Sequence, residues 1–286
     1  MHKPNVLVVD NSVDVTGALK SITRAAYDLK DVFDFVFVLP QGTKGRSWVE
    51  GQGFNVIYEL PLKEINKKIT RLVTYLPFLF SNAIQLKRII KKEKVSILHI
   101  NDIYNLLPVA LRVLGCKIPY VCHIRFLPDR FPPWLFNFWL RLHLRYADKI
   151  LVVSQSVLHQ VKPHEKLILI YDTLPTEERY PNEVVRENSQ HTFLYLSNFI
   201  KGKGQDFALE ALSTISNQLP EWRIRFVGGD MGLEKNRQFL RELQQRAREL
   251  NLSDKAEWEG FTKEVEREYK RADIVLNFSE SESFPL

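Results

Sequence analysis

The chain has 286 residues, 45% of them hydrophobic and 26% charged, with a formal net charge of +6. This balance excludes a disordered or fibrous protein, and the length allows two domains because single cores stop growing near that size. Only Cys116 and Cys122 are present, which excludes a disulfide framework and points to a reducing, cytoplasmic compartment. The start MHKPNVLVVD lacks the apolar stretch of a secretory signal, and LVTYLPFLF, with Pro77 at its centre, is too short to span a bilayer.

In chain order, VLVVD (6–10), FDFVFVLP (33–40), VIYEL (56–60), SILHI (96–100), PYVCHI (119–124), KILVVS (149–154) and KLILIY (166–171) are near-continuous apolar runs of strand length. Strands apolar on both faces belong in a parallel sheet covered by helices. Helical periods fall between them in GALKSITRAAYDL, LLPVALRVLG and WLFNFWLRLHLRYA, so residues 1–172 are expected to form a doubly wound α/β domain. Prolines and charges dominate 173–191, which reads as a linker. The rhythm restarts over 192–286 with TFLYLS, a helix from Gln205 to about Ser216, WRIRFVGG, the helix EKNRQFLRELQQRAREL, AEWEGF, a helix near 263–271 and a last strand Ile274 to Phe278. Four strands and three helices are few for a doubly wound domain, so this second one is expected to be incomplete.

Charge is unevenly placed. Residues 1–170 hold 24 Lys and Arg against 13 Asp and Glu, whereas 171–286 hold 16 against 21. The first half therefore prefers an anionic partner. Much of the excess lies in residues 63–94, where Lys67, Lys68, Arg71, Lys87, Arg88 and Lys91 accompany apolar residues at helical spacing. Such a segment is either the solvated face of a packed helix or a peripheral contact with an anionic membrane. Aromatic residues are not interleaved with the cations as in a stacking platform, so no nucleic-acid partner is expected.

Ligands of open α/β sheets gather at the carboxyl ends of the strands. Gly17 follows the first strand through a polar loop and precedes a helix, which suits either a phosphate or an ordinary turn. His123 and Arg125 follow the fifth run, and both side chains can donate to hydroxyls or phosphate. In NFIKGKGQDFALEAL, Lys201 and Lys203 alternate with Gly202 and Gly204 just before a helix, the stronger phosphate signal of the two. Gly228 and Gly229 end WRIRFVGG, permitting either close approach of a ligand or a tight turn. Glu280 and Glu282 follow the last strand, where a carboxylate can accept from sugar hydroxyls. No metal site is expected, since the seven histidines are scattered and neither cysteine lies in a CxxC pair. The serines of LVVSQSV lack the G-x-S-x-G frame of a hydrolase.

Taken in order, YADKILVVSQSV, FLYLSNFIKGKGQDFALEAL, WRIRFVGGDMG, AEWEGF and YKRADIVLNFSESESFPL resemble the retaining, GT-B-fold glycosyltransferases of group 1, or family 4. The resemblance covers essentially the whole chain. It implies two Rossmann-like domains facing across a cleft, a nucleotide-sugar donor, a retaining mechanism and no metal or other cofactor. It places Gly17 beside the donor phosphates, His123 near the transferring sugar, Ser154 in the motif before the domain crossover and Lys203 on the donor diphosphate. Glu282 matches the first acid of the E-x7-E motif, with Phe284, Pro285 and Leu286 where backbone amides meet the donor.

Three departures accompany the resemblance. Ser197 and Asn198 stand where the family has Gly-Arg, so one diphosphate cation is either missing or supplied by Lys201. Tyr171-Asp172-Thr173 replace a glycine-containing loop, and the chain ends before the second acid of E-x7-E, as if cut through a donor-binding loop. The resemblance with the basic first domain predicts transfer to a lipid-linked or cell-envelope saccharide at the cytosolic membrane face. A sugar-nucleotide epimerase of the same fold, or a non-catalytic nucleotide-sugar or lipid-phosphate binding protein, are the alternatives.

Overall fold

The computed structural model describes residues 3–62, 72–172 and 191–280, which form two compact units, one within 3–172 and one within 191–280. The first runs β1 (Asn5–Val9), α1 (Gly17–Asp28), β2 (Asp34–Pro40), α2 (Gly45–Gly51), β3 (Ile57–Leu60), α3 (Leu72–Lys92) and β4 (Val95–Ile100). It continues through α4 (Leu107–Val113), β5 (Tyr120–Ile124), α5 (Pro133–Tyr146), β6 (Lys149–Val152), α6 (Gln155–Leu158) and β7 (Leu167–Leu169). The seven strands are parallel in the order β3-β2-β1-β4-β5-β6-β7. Strand order reverses between β1 and β4, which creates a ligand-binding switch point at their carboxyl ends.

Alternation along the strands builds two cores. Val6, Val8, Phe37 and Leu39 pack under α1 and α2 through Leu19, Ile22 and Val49. Leu7, Val9, Val36 and Val38 face the opposite way, toward α3, α4 and α5. Helix α1 starts where it does because the Thr16 hydroxyl accepts from the Leu19 amide at 3.2 Å. Pro133 opens α5 at a position where a missing N–H is harmless. The α5 residue Trp139 meets Phe126 and Phe131 with ring centroids 6.5 and 5.2 Å away. That cluster fixes the loop leaving β5, and truncating such an aromatic typically costs about 3–5 kcal/mol. Among the described residues no helix is long and apolar enough to cross a membrane.

The second unit runs β8 (His191–Leu196), α7 (Gln205–Ile215), β9 (Trp222–Val227), α8 (Glu234–Glu249), β10 (Ala256–Glu259), α9 (Val265–Lys270) and β11 (Ile274–Val275). Its four strands are parallel in the order β10-β9-β8-β11. One core joins Tyr195 and Phe226 of the sheet to Leu209 of α7 and Phe239 and Leu243 of α8. Arg225 is buried in β9 and meets Glu259 and Glu268 at 2.5 and 2.6 Å, which lets a charged residue occupy an otherwise apolar strand.

Elements and order agree with the sequence patterns, with three differences. Helices α2 and α6 are too short to show a period. The last strand is two residues long rather than five, because the Phe278 amide turns from the ladder to the Tyr195 hydroxyl at 2.7 Å. The strand at 149–154 stops at Val152 because Ser154 caps α6.

Candidate functional site

At the switch point of the first unit, polar side chains hold one another. Arg125, just past β5 and with a side chain only 5% exposed, donates from Nε to Asn101 Oδ1 at 2.6 Å. Its Nη1 donates to both carboxylate oxygens of Asp172, at 3.1 and 2.9 Å, and to the Ser21 hydroxyl at 3.2 Å. The Asn101 amide, just past β4, donates to Asp10 at the end of β1 and to the Ala18 carbonyl of α1 at 3.1 Å. Asp10 also accepts from the Ser12 amide at 2.7 Å. One arginine thus ties three strand ends, α1 and the last described residue before the linker.

The same arginine defines the proton on His123. Arg125 Nη2 lies 2.9 Å from His123 Nδ1, and arginine only donates, so Nδ1 is the acceptor and a neutral ring carries its proton on Nε2. His99 Nε2 is 3.2 Å from the same Nδ1, with the two rings edge-on at 4.8 Å. Burial, then the Arg125 charge, hold His123 well below the usual imidazole range, and the same causes push His99 down to about 3. His123 is therefore a neutral donor at physiological pH.

The edge of the second unit is built from backbone. Gly204, at φ +84°, precedes α7, and a Cβ there would lie 2.2 Å from the Phe278 carbonyl oxygen. A Cβ at Gly228 would lie 2.0 Å from the Ser197 carbonyl oxygen. These glycines let the ends of β8, β9 and β11 close on one another, and at Gly228 the close neighbour is the Ser197 backbone. Asn198 Oδ1 accepts from the Gly229 amide at 3.1 Å, joining β8 to β9. The Lys203 carbonyl accepts from the Tyr195 hydroxyl at 2.5 Å and the Ser279 hydroxyl at 3.3 Å, while its amide donates to the Ile200 carbonyl at 3.0 Å. Helix α7 has no side-chain cap at Gly204, so no side chain of the cap residue takes up its first-turn amides. Among the described residues no group of three or more His, Cys, Asp or Glu side chains is placed to hold a metal.

Two family models divide the chain at the linker. Residues 53–176 match Glycosyltransferase Family 4 and residues 176–286 match Glycosyl transferases group 1. Together the two models span residues 53–286, and the chain is a glycosyltransferase. Among curated proteins none matches it in sequence. Solved structures share its GT-B fold. HepE from Anabaena, solved in complex with UDP-glucose, superposes with TM-score 0.73 at 17% identity over 96% of this chain and 74% of its own. A glycosyltransferase from Rickettsia africae gives 0.74 at 16% identity, covering 98% and 74%. The lipopolysaccharide outer core galactosyltransferase WaaB in its apo form gives 0.67 at 15% identity, covering 99% and 76%.

In this glycosyltransferase the anticipated residues fall unevenly. His123 sits inside the Arg125 cluster, and Gly17 begins α1 at the same edge, exposed. Ser154 accepts from the Val157 amide at 3.2 Å, so its hydroxyl caps α6. Lys203, Asn198, Gly228 and Gly229 converge on the edge of the second sheet. Lys201 is exposed and lines a groove with Asp206 of α7 and Gln238, Arg241 and Glu242 of α8, on the helix side. Glu282, Phe284, Pro285 and Leu286 lie outside the described residues. Glu280 donates its amide to the Gly202 carbonyl at 3.1 Å, standing beside the Lys-Gly loop. Asp10, Asn101, Ser21 and His99 escaped the sequence reading. The first two are the polar residues that end VLVVD and follow SILHI, and that position was the signal available for them.

Proposed function

We propose that this glycosyltransferase moves a sugar from a nucleotide-sugar to a lipid-linked or cell-envelope saccharide, with retention of configuration and without a metal, at the cytosolic membrane face. The observation that carries this reading is the Lys203 loop, held on three sides by its backbone directly before α7, whose amino terminus has no side-chain cap. A lysine and a helix amino terminus together suit the diphosphate, and they meet charge that grows on the leaving group as the sugar–phosphate bond breaks. HepE, solved with UDP-glucose, lends support on fold alone. His123 donates from Nε2 to a sugar hydroxyl without adding charge. Glu282, by its motif, accepts from the donor sugar. Asn198 does not replace the family arginine, since its side-chain oxygen is turned to Gly229. Lys203 then carries most of the diphosphate charge.

That missing arginine is also the one observation favouring a second reading, a nucleotide-sugar binding protein without turnover. Release of nucleoside diphosphate from UDP-glucose, GDP-mannose and related donors separates the two. Transfer that falls about a hundredfold or more in Lys203→Ala supports the enzyme. Donor binding with no release from any sugar nucleotide supports the binder.

A further inference from the structure

We propose that the layer formed by α3, α4 and α5 is a docking surface for an anionic lipid bilayer, with Trp134 and Phe138 of α5 entering its interface. The inference deepens the membrane-facing part of the proposed function and relocates it. The basic segment expected to meet a membrane begins at residue 63, and its described part is helix α3, one member of a three-helix face.

The two helix layers of the first sheet differ in charge. Helices α3, α4 and α5 carry Lys87, Arg88, Lys91, Lys92, Arg112, Arg141 and Arg145 and no Asp or Glu. Helices α1 and α2, on the opposite face, carry Lys20, Arg24 and Arg46 against Asp28 and Glu50. A merely solvated face would mix signs as the second layer does. The acids that directly follow α3 and α5 are already engaged. Glu93 offsets Lys92, 3.7 Å away, while accepting from the Tyr58 hydroxyl at 2.5 Å, and Asp148 accepts from the Tyr120 amide at 2.9 Å.

Large apolar side chains stand in this acid-free layer. Trp134 is 64% exposed and Phe138 50% exposed, and on α5 they share a stripe with the exposed Arg141 and Arg145 at helical spacing. The opposite stripe, Phe136, Trp139, Leu140 and His143, is buried. Leu76 and Ile84 of α3 and Val113, the last residue of α4, are exposed too. In a parallel sheet the connecting helices run back from the carboxyl edge to the amino edge. Trp134, Phe138 and Leu76 therefore lie toward the edge that holds His123 and Arg125, with Arg141, Arg145, Lys87, Arg88 and Lys91 behind them.

An apolar band backed by a cationic band fits the interface and headgroup levels of an anionic bilayer, where Trp is favoured and each Lys or Arg adds attraction. It also brings the switch-point edge toward the membrane, where a lipid-linked acceptor resides. A second copy of this chain is disfavoured as the occupant, because the same layer would set cations against cations.

Cosedimentation of the whole chain with phosphatidylcholine vesicles, with and without about one third phosphatidylglycerol, tests the inference. Binding is expected with phosphatidylglycerol only, with a blue shift in tryptophan emission that Trp134→Ser removes. Arg141→Glu with Arg145→Glu should weaken binding about tenfold or more, while Lys20→Glu with Arg24→Glu on the other layer should weaken it far less. Melting temperatures near that of the unmodified chain establish that the variants are folded. Equal binding to both vesicles, equal loss from charge reversal on either layer, or tighter binding to duplex DNA than to vesicles would each overturn the proposal. Donor and acceptor are absent from the assay, so vesicle binding without sugar transfer sinks the transferase reading alone, and transfer without vesicle binding sinks this one alone.

Discussion

At the carboxyl edge of the first sheet, side chains hold side chains: Arg125 grips Asp172 and Asn101, Asn101 grips Asp10, and His123 is fixed between Arg125 and His99. At the carboxyl edge of the second, backbone meets backbone through Gly204 and Gly228, and Lys203 is placed by its own main chain. The first edge has its shape and proton positions set before any ligand arrives. The second provides amides, a helix terminus and a lysine for an anion. Under the proposed function, the first edge orients the neutral sugar and the second meets the diphosphate.

The largest effect is expected at the first edge. Arg125→Ala leaves the Asp172 carboxylate without its cation and the Asn101 carbonyl without its Arg125 donor, and denaturant melts should show a loss of about 3–5 kcal/mol. Arg125→Lys keeps a charge but not the fork, so it should recover part of that stability while nitrogen-15 NMR shows His123 no longer held as the Nε2–H form. A His123 ring unchanged in both variants would break the assigned link between the two residues.

At the second edge the equivalent test is steric. Gly204→Ala and Gly228→Ala each drive a methyl group into a carbonyl, and melts of the second unit should show a loss of about 1–3 kcal/mol or more. A side-chain change there should do less. Asn198→Ala removes the acceptor of the Gly229 amide, and about 1 kcal/mol is expected.

Acid should separate the units without mutation. Folded His99 takes its proton only near pH 3 and buried His143 only near 4, whereas both protonate near 6.5 when unfolded. Stability present above about pH 6.5 is then lost progressively as the pH falls toward those values. The described part of the second unit has one histidine, His191, and it is exposed. Melting followed from pH 8 to 5 should therefore weaken the first unit more than the second, and equal weakening would contradict the burial argument.

The succession of parallel strands was legible because buried parallel strands are apolar on both faces, whereas their order in the sheet follows from no local pattern. The Lys203 loop was legible because glycine and lysine alternate at a helix start. The Arg125 cluster was only half legible: His123 and Arg125 adjoin in sequence, but Asn101, Asp10 and Asp172 reach them through the fold, and no local pattern announces that. Gly228 shows the converse limit, since a glycine that admits a ligand and one that admits a neighbouring strand look alike until the neighbour is placed. The cationic helix layer was legible only in part, through residues 63–94. The cations of α5 are sparse along the sequence and become a surface only when α3 and α4 lie beside them.

Calorimetric titration of the chain with UDP, GDP and ADP tests the central claim most directly. One nucleoside diphosphate should bind, about tenfold or more weakly in Lys203→Ala and with little change in His123→Gln, because the proposed function gives most of the diphosphate charge to Lys203 and none to His123. Binding that ignores Lys203, or no binding by any of the three, would contradict the account.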